Sequence, residues 1–99
     1  MALDVVTTTH DDGTATVSVA GEVDVTHASE LRAALAAATA TRPRTRVDLT
    51  ATTYLDTAGV QVLADLAHDG VEVVVAADGV LARVLALTGL ADRLVVREV

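Results

Sequence analysis

The sequence predicts an α/β fold built on a mixed, mostly parallel sheet with helices packed against it, and three observations carry that prediction. Apolar residues alternate with period two over residues 14–20 and run nearly unbroken over 71–77, the patterns of a half-covered strand and of a parallel strand lying centrally or covered on both faces. Between and after these runs the apolar period lengthens to that of a helix, from Thr26 onward and again over 60–69 and 80–88. Residues that favour turns or end helices, Gly13, Pro43, Gly70 and Gly89, mark the changes of period. The implied order is strand, strand, helix, strand, helix, strand, helix, strand, with right-handed crossovers in the second half.

Each element has its own warrant. In TATVSVA, Ala15, Val17 and Val19 alternate with Thr14, Thr16 and Ser18. The preceding run LDVVTTT reaches it across His10, Asp11, Asp12 and Gly13, a hairpin signal. From Thr26, residues Ala28, Leu31, Leu35 and Ala38 fall on one helical face, Thr26 or Ser29 is available as cap, and the alanine-rich body favours helix intrinsically. Pro43 then ends that helix. RVDLTAT at 46–52 reads as a strand, and the segment that follows as a helix over 57–69, with Val60, Leu63, Ala64 and Ala67 on one side and Gly70 as its stop. VEVVVAA supplies the next strand. VLARVLALT supplies the last helix, with Leu81, Val84, Leu85 and Leu87 read as core, and RLVVREV the last strand.

Length and charge exclude several function classes. A chain of 99 residues reads as one domain spanning 1–99, without room for a second lobe that closes over a substrate. No apolar run approaches the roughly 20 residues that cross a bilayer, and MALDVV is neither basic nor long enough to be a secretory signal, so a cytoplasmic protein without membrane insertion is expected. There is no cysteine, hence no disulfide, thiolate metal site or thiol nucleophile. All seven basic residues are arginine against 14 acids, a net charge of −7. Without lysine there is no P-loop and no Schiff base. An acidic chain whose single aromatic is Tyr54 is a poor partner for nucleic acid, which calls for basic patches and stacking platforms.

Catalysis finds little footing. The two serines, Ser18 and Ser29, lie in a strand and a helix, no Gly-x-Ser-x-Gly elbow is present, and the histidines are scattered. His27 and His68 stand singly at helix ends. His10, Asp11 and Asp12 are chemically able to bind a metal, but at a hairpin tip they read as a hydrated turn, and no cofactor or metal is expected. A carboxylate pair, Asp24 with Asp56, is the one hydrolytic arrangement left to test.

Three segments, GEVDVTHASELRAAL at 21–35, VDLTATTYLDTAGVQVL at 47–63 and VLARVLALTGLADRLVV at 80–96, resemble the STAS domain, and in particular bacterial anti-sigma factor antagonists. The resemblance covers nearly the entire chain, with the segments in the family's order and spacing. It implies a STAS-like single domain that binds an anti-sigma factor of serine-kinase fold, frees the sigma factor, and is switched off when that kinase phosphorylates it. The implied docking surface comprises Gly21, Glu22 and Asp24 in the loop at 21–26, and Asp56, Thr57, Ala58, Gly59 and Val60 at the start of the middle helix.

Physical chemistry fits a recognition site at that step. Backbone amides at a helix start lack intrahelical partners and carry the positive end of the dipole, so an anion is tolerated there, and Gly59 offers close approach to a partner's backbone. The modified residue in regulated relatives is usually the serine or threonine directly before the glycine. That position is Ala58, which has no hydroxyl. Either Thr57 serves as a displaced phosphoacceptor beyond its ordinary use as a helix cap, or the protein binds constitutively. STAS proteins similar in this step also serve as accessory subunits of lipid-transport ATPases, which leaves a second partner class open.

Overall fold

The alternation in the first third of the chain builds a hairpin. The computed structural model describes residues 3–41, 44–66 and 71–99. In it, strand β1 (Asp4–Thr9) pairs antiparallel with β2 (Thr14–Val23), from Asp4 opposite Ala20 to Thr9 opposite Ala15. Gly13 closes the turn with φ +90°, a left-handed conformation that a side chain would disfavour. Ala15, Val17 and Val19 are buried, as the period-two pattern predicts.

From β3 onward each strand is parallel to the one before it. Helix α1 (Ala28–Thr41) crosses to β3 (Arg44–Leu55), α2 (Thr57–Leu66) to β4 (Val71–Val75), and α3 (Val80–Leu87) with a 3₁₀ turn at Leu90–Asp92 to β5 (Val95–Glu98). The sheet order β1-β2-β3-β4-β5 follows the chain. Three successive right-handed crossovers in one direction put all three helices on the same face. One core therefore joins Leu31 and Leu35 of α1, Val62 and Leu63 of α2, and Leu81 and Leu85 of α3 to Val17, Val47 and Val73 of the sheet. The opposite face, bearing Thr16, Arg46, Glu72 and Arg97, is left open.

Local chemistry explains most boundaries. α1 presents Ala28, Leu31, Leu35 and Ala38 to the core as its spacing predicts, but among the described residues neither Thr26 nor Ser29 supplies the side-chain bond at its start. Asp24 does: its carbonyl takes the Ala28 amide at 2.9 Å and its side chain the His27 amide at 3.1 Å. The turn at 25–27 winds before the helix proper, which a search for a cap adjacent to the first apolar residue does not see. α3 ends at Thr88 and Gly89, the latter at φ +81°. Arg32 of α1 and Asp65 of α2 meet at 2.9 Å and tie the two helices together at the surface, an exposed pair contributing about 0.2–1 kcal/mol.

Two expected faces turn out differently. In α2 the buried residues are Gly59, Val62 and Leu63, while Val60 and Ala64 are only partly covered. The stripe is rotated toward Gly59 because the helix begins three residues earlier than the apolar run and packs that glycine on the strand ends. In α3, Leu81 and Leu85 are buried, but Leu87 is 81% exposed; it lies two residues beyond Leu85, about 200° around the helix, so burying one exposes the other. β3 also runs from Arg44 to Leu55, longer than the predicted 46–52, because bulges opposite Ser18–Ala20 and Gly21–Glu22 let it bend and continue past Asp48. Pro43, Ala67, His68, Asp69 and Gly70 lie outside the described residues.

Candidate functional site

The register of the two central strands assembles the predicted site. The last pair of β2 and β3 is Val23 opposite Leu55, and the Asp56 amide donates to the Val23 carbonyl at 3.1 Å. Asp24 and Asp56 therefore leave neighbouring strand ends side by side, although 32 residues separate them in sequence. Just before them, Glu22 stands opposite Tyr54. Gly21, at φ +106°, lies opposite the bulge at Thr53 of β3 that sets this step, and its carbonyl accepts a hydrogen bond from Thr53 Oγ1 at 3.3 Å.

Each aspartate begins a helix. Asp56 is the cap of α2: its Oδ1 accepts from the Ala58 and Gly59 amides at 2.9 and 3.2 Å, and its carbonyl accepts from the Val60 amide. Two of the amides expected to be open to an anion, those of Ala58 and Gly59, are thus taken by the protein's own carboxylate, and Thr57 is the first helical residue rather than the cap. Its side chain is exposed, beside the half-buried Ala58. Asp24 Oδ1 accepts from both the His27 amide and His27 Nδ1, the latter at 2.8 Å. The side-chain hydrogen bond from His27 holds the Asp24 carboxyl below the ordinary carboxylate range, reinforced by the His27 amide and opposed by partial desolvation.

Gly59 has a different task from the one expected of it. It is buried, and a Cβ built there meets Leu55 Cδ1 and lies 2.9 Å from Val23 Cγ1. The missing side chain lets α2 sit on the ends of β2 and β3, so the close approach seen at Gly59 is internal. Val60 leans on the core, partly covered.

Two residues not singled out from the sequence border this face. Val25 is 77% exposed in the loop after Asp24, and Tyr54 is 52% exposed next to Leu55. The signal for Tyr54 was present, since the chain has one aromatic, and an aromatic outside the core is available for contact. Nothing local marks Val25, whose exposure follows from the turn that Asp24 closes. With Glu22 opposite Tyr54 and Asp24 beside Val25, the arrangement sets acidic residues next to two exposed hydrophobic side chains.

As a hydrolytic site the same pair is poorly arranged. Both carboxylates are used as hydrogen-bond acceptors for local amides, and Asp24 is stabilised in its charged form, the opposite of what a general acid needs. Elsewhere, His10 Nε2 is hydrogen-bonded to Thr16 Oγ1 and Asp12 to Thr14, so the hairpin tip is a self-satisfied turn, and no cluster of three metal-binding side chains occurs among the described residues. No helix among the described residues is long and apolar enough to cross a membrane.

Solved structures of similar fold include those of anti-sigma factor antagonists. A crystal structure of an anti-sigma factor antagonist from Mycobacterium paratuberculosis superposes with a TM-score of 0.87 at 28% identity, covering 99% of this chain and 87% of that one. An antisigma-factor antagonist STAS domain from Rhodobacter sphaeroides, at 21% identity and a TM-score of 0.56 over 74% of this chain and 84% of its own, shares the fold. No curated protein matches the sequence significantly. The family described as Mlab, STAS domain matches residues 6–97, nearly the full length of β1 to β5. By its fold, its motifs and that match, the chain belongs to the STAS domain family.

Proposed function

We propose that this STAS domain, spanning residues 1–99, is an anti-sigma factor antagonist of the cytoplasm, acting by binding and not by catalysis. It docks on an anti-sigma factor of serine-kinase type and so regulates transcription indirectly. The observation that carries this reading is the juxtaposition of Asp24 and Asp56 at adjacent strand ends, with Val25 and Tyr54 exposed beside them. Such a face offers apolar anchors next to charged groups, as protein interfaces do. Its acids suit a partner surface rich in arginine or lysine. The similarity to the mycobacterial antagonist over 99% of the chain supports the role. Gly21, Glu22, Asp24, Asp56, Thr57 and Ala58 form the contact surface, with Gly59 and Val60 supporting it from beneath.

The interaction is constitutive in this reading. Ala58 occupies the position that carries the switch hydroxyl in regulated relatives. A phosphate on Thr57 would stand next to the Asp56 carboxylate, and the nearest helix-start amides are already donated to that carboxylate. The added charge of about −1.5 to −2 therefore meets repulsion from Asp56, with the Ala58 and Gly59 amides already taken.

Isothermal titration calorimetry against purified anti-sigma factors of serine-kinase type from the same genome tests the proposal. Tight binding is expected, weakened by about tenfold or more in Tyr54→Ala and in Val25→Asp, as for central interface side chains. No binding to any of them, or wild-type affinity in both variants, overturns it. Constitutive binding predicts no phosphate on Thr57 by mass spectrometry after incubation with the kinase and ATP. The missing hydroxyl at Ala58 favours one second reading, an unswitched accessory subunit of a lipid-transport ATPase. Co-purification of such an ATPase with the tagged chain, in place of an anti-sigma factor, would select it.

A further inference from the structure

The open face of the sheet carries a second feature, at the end where β2, β3 and β4 begin, whereas Asp24 and Asp56 follow the far ends of β2 and β3. Thr16, Arg46, Glu72 and Val95 stand side by side across β2 to β5. Arg44 lies two residues back along β3 and Arg97 two residues on along β5, so strand alternation puts both on this face with Arg46. Arg46 Nε donates to Glu72 Oε1 at 2.9 Å, and Arg97 Nη2 lies 3.5 Å from Glu72 Oε2. One carboxylate thus holds two guanidinium groups in place. Arg44 is exposed and forms no ion pair among the described residues.

These side chains, with His10 at the hairpin tip, line a cleft of about 620 Å³. In a chain of net charge −7, three of the seven arginines converge here. Solvation of a scattered acidic surface does not call for that.

We propose that this cleft binds a small dianion, either the phosphate group of a phosphorylated small molecule or a dicarboxylate. Guanidinium forks match both groups with paired hydrogen bonds. Glu72 fixes Arg46 and Arg97 beforehand, so less side-chain freedom is lost on binding. Arg44 supplies a further charge that pairs with no acid among the described residues, and the cleft has the size of a small-molecule site. Asp12 and Glu72 within it, and the acidic remainder of the chain, disfavour a long polyanion such as nucleic acid.

The test is an NMR titration of the ¹⁵N-labelled chain, reading arginine Nε–H and backbone resonances, with sodium phosphate and separately sodium succinate against sodium chloride at equal ionic strength. Saturable shifts at Arg44, Arg46 and Arg97 are expected with at least one dianion, with a dissociation constant in the millimolar range or below. Affinity falls about tenfold or more in Arg44→Gln and in Arg46→Gln, each checked for wild-type backbone dispersion. Preference for phosphate assigns a phosphorylated ligand, and preference for succinate a dicarboxylate. Shifts no larger than those with chloride, or saturable binding that survives in the folded Arg44→Gln, Arg46→Gln double variant, overturn the proposal. Val25→Asp, on the docking face, leaves the titration unchanged, so this site stands or falls apart from the antagonist role.

Discussion

Replacing Gly59 with alanine separates two reasons for a glycine in α2. Were its purpose to admit a partner's backbone, the free protein would gain from the change, because alanine is favoured over glycine in a helix by about 1 kcal/mol. Gly59 does not have the positive φ of Gly13, Gly21 and Gly89, so no backbone strain offsets that gain. Its Cβ site, however, is filled by Leu55 Cδ1 and approached to 2.9 Å by Val23 Cγ1. Leu55 and Val23 are both buried, which leaves them little room to withdraw. Overpacking of such a contact costs about 1–3 kcal/mol. Set against the helix preference, the net expectation is a loss near 1 kcal/mol, or a melting temperature lower by about 4–8 °C for a domain of this size. Gly59→Val, larger and β-branched, should lose more than Gly59→Ala. Urea unfolding followed by circular dichroism measures both. An alanine variant more stable than the wild type would refute the packing argument and return Gly59 to the surface role.

Other perturbations discriminate equally well. Asp56→Ala removes the cap of α2 and should cost about 1 kcal/mol, with faster hydrogen exchange at the Ala58 and Gly59 amides; Asp56→Asn should keep most of that stability. The depressed Asp24 carboxyl contributes stability that is fully present above its unfolded value near pH ~3.9 and is lost as pH falls through the lower folded value. Carbon-detected NMR titration should find the Asp24 midpoint below that of an ordinary aspartate, and His27→Ala should move it upward. Leu85→Ala, in the core, should destabilise by about 2–5 kcal/mol, whereas Leu87→Ala at an exposed position should stay within about 0.5 kcal/mol in the same denaturation assay.

The candidate site was legible in part. The carboxylates Asp24 and Asp56 were named from motif and position, and both sit where β2 and β3 end. What each carboxylate bonds to is not legible from position alone, because an aspartate one residue before a helix and one four residues before look alike until the turn between them is traced. Thr57 drew attention as cap and acceptor, yet α2 begins at Thr57 itself, so Asp56 holds the cap position and takes the Ala58 and Gly59 amides. Val25 carried no local mark, since a valine in a loop is exposed or buried according to how the chain leaves the preceding strand. The arginines at 44, 46 and 97 were counted but not associated, because Arg97 belongs to a strand two places away from β3.

By itself the sequence determined the element order, the inward residues of β2 and α1, and the family, for these depend on periods and motifs within short windows. Hydrophobic alternation and helical spacing are enforced by burial wherever the segment packs, so they survive without knowledge of the neighbours. Only the tertiary structure decided that Gly59 is a packing residue, that Leu87 faces water, that Asp24 and Asp56 stand together, and that one sheet face gathers arginines around Glu72. Each of these is a relation between strands or between a helix and a strand, set by register and crossover geometry, and no window of one segment contains both partners.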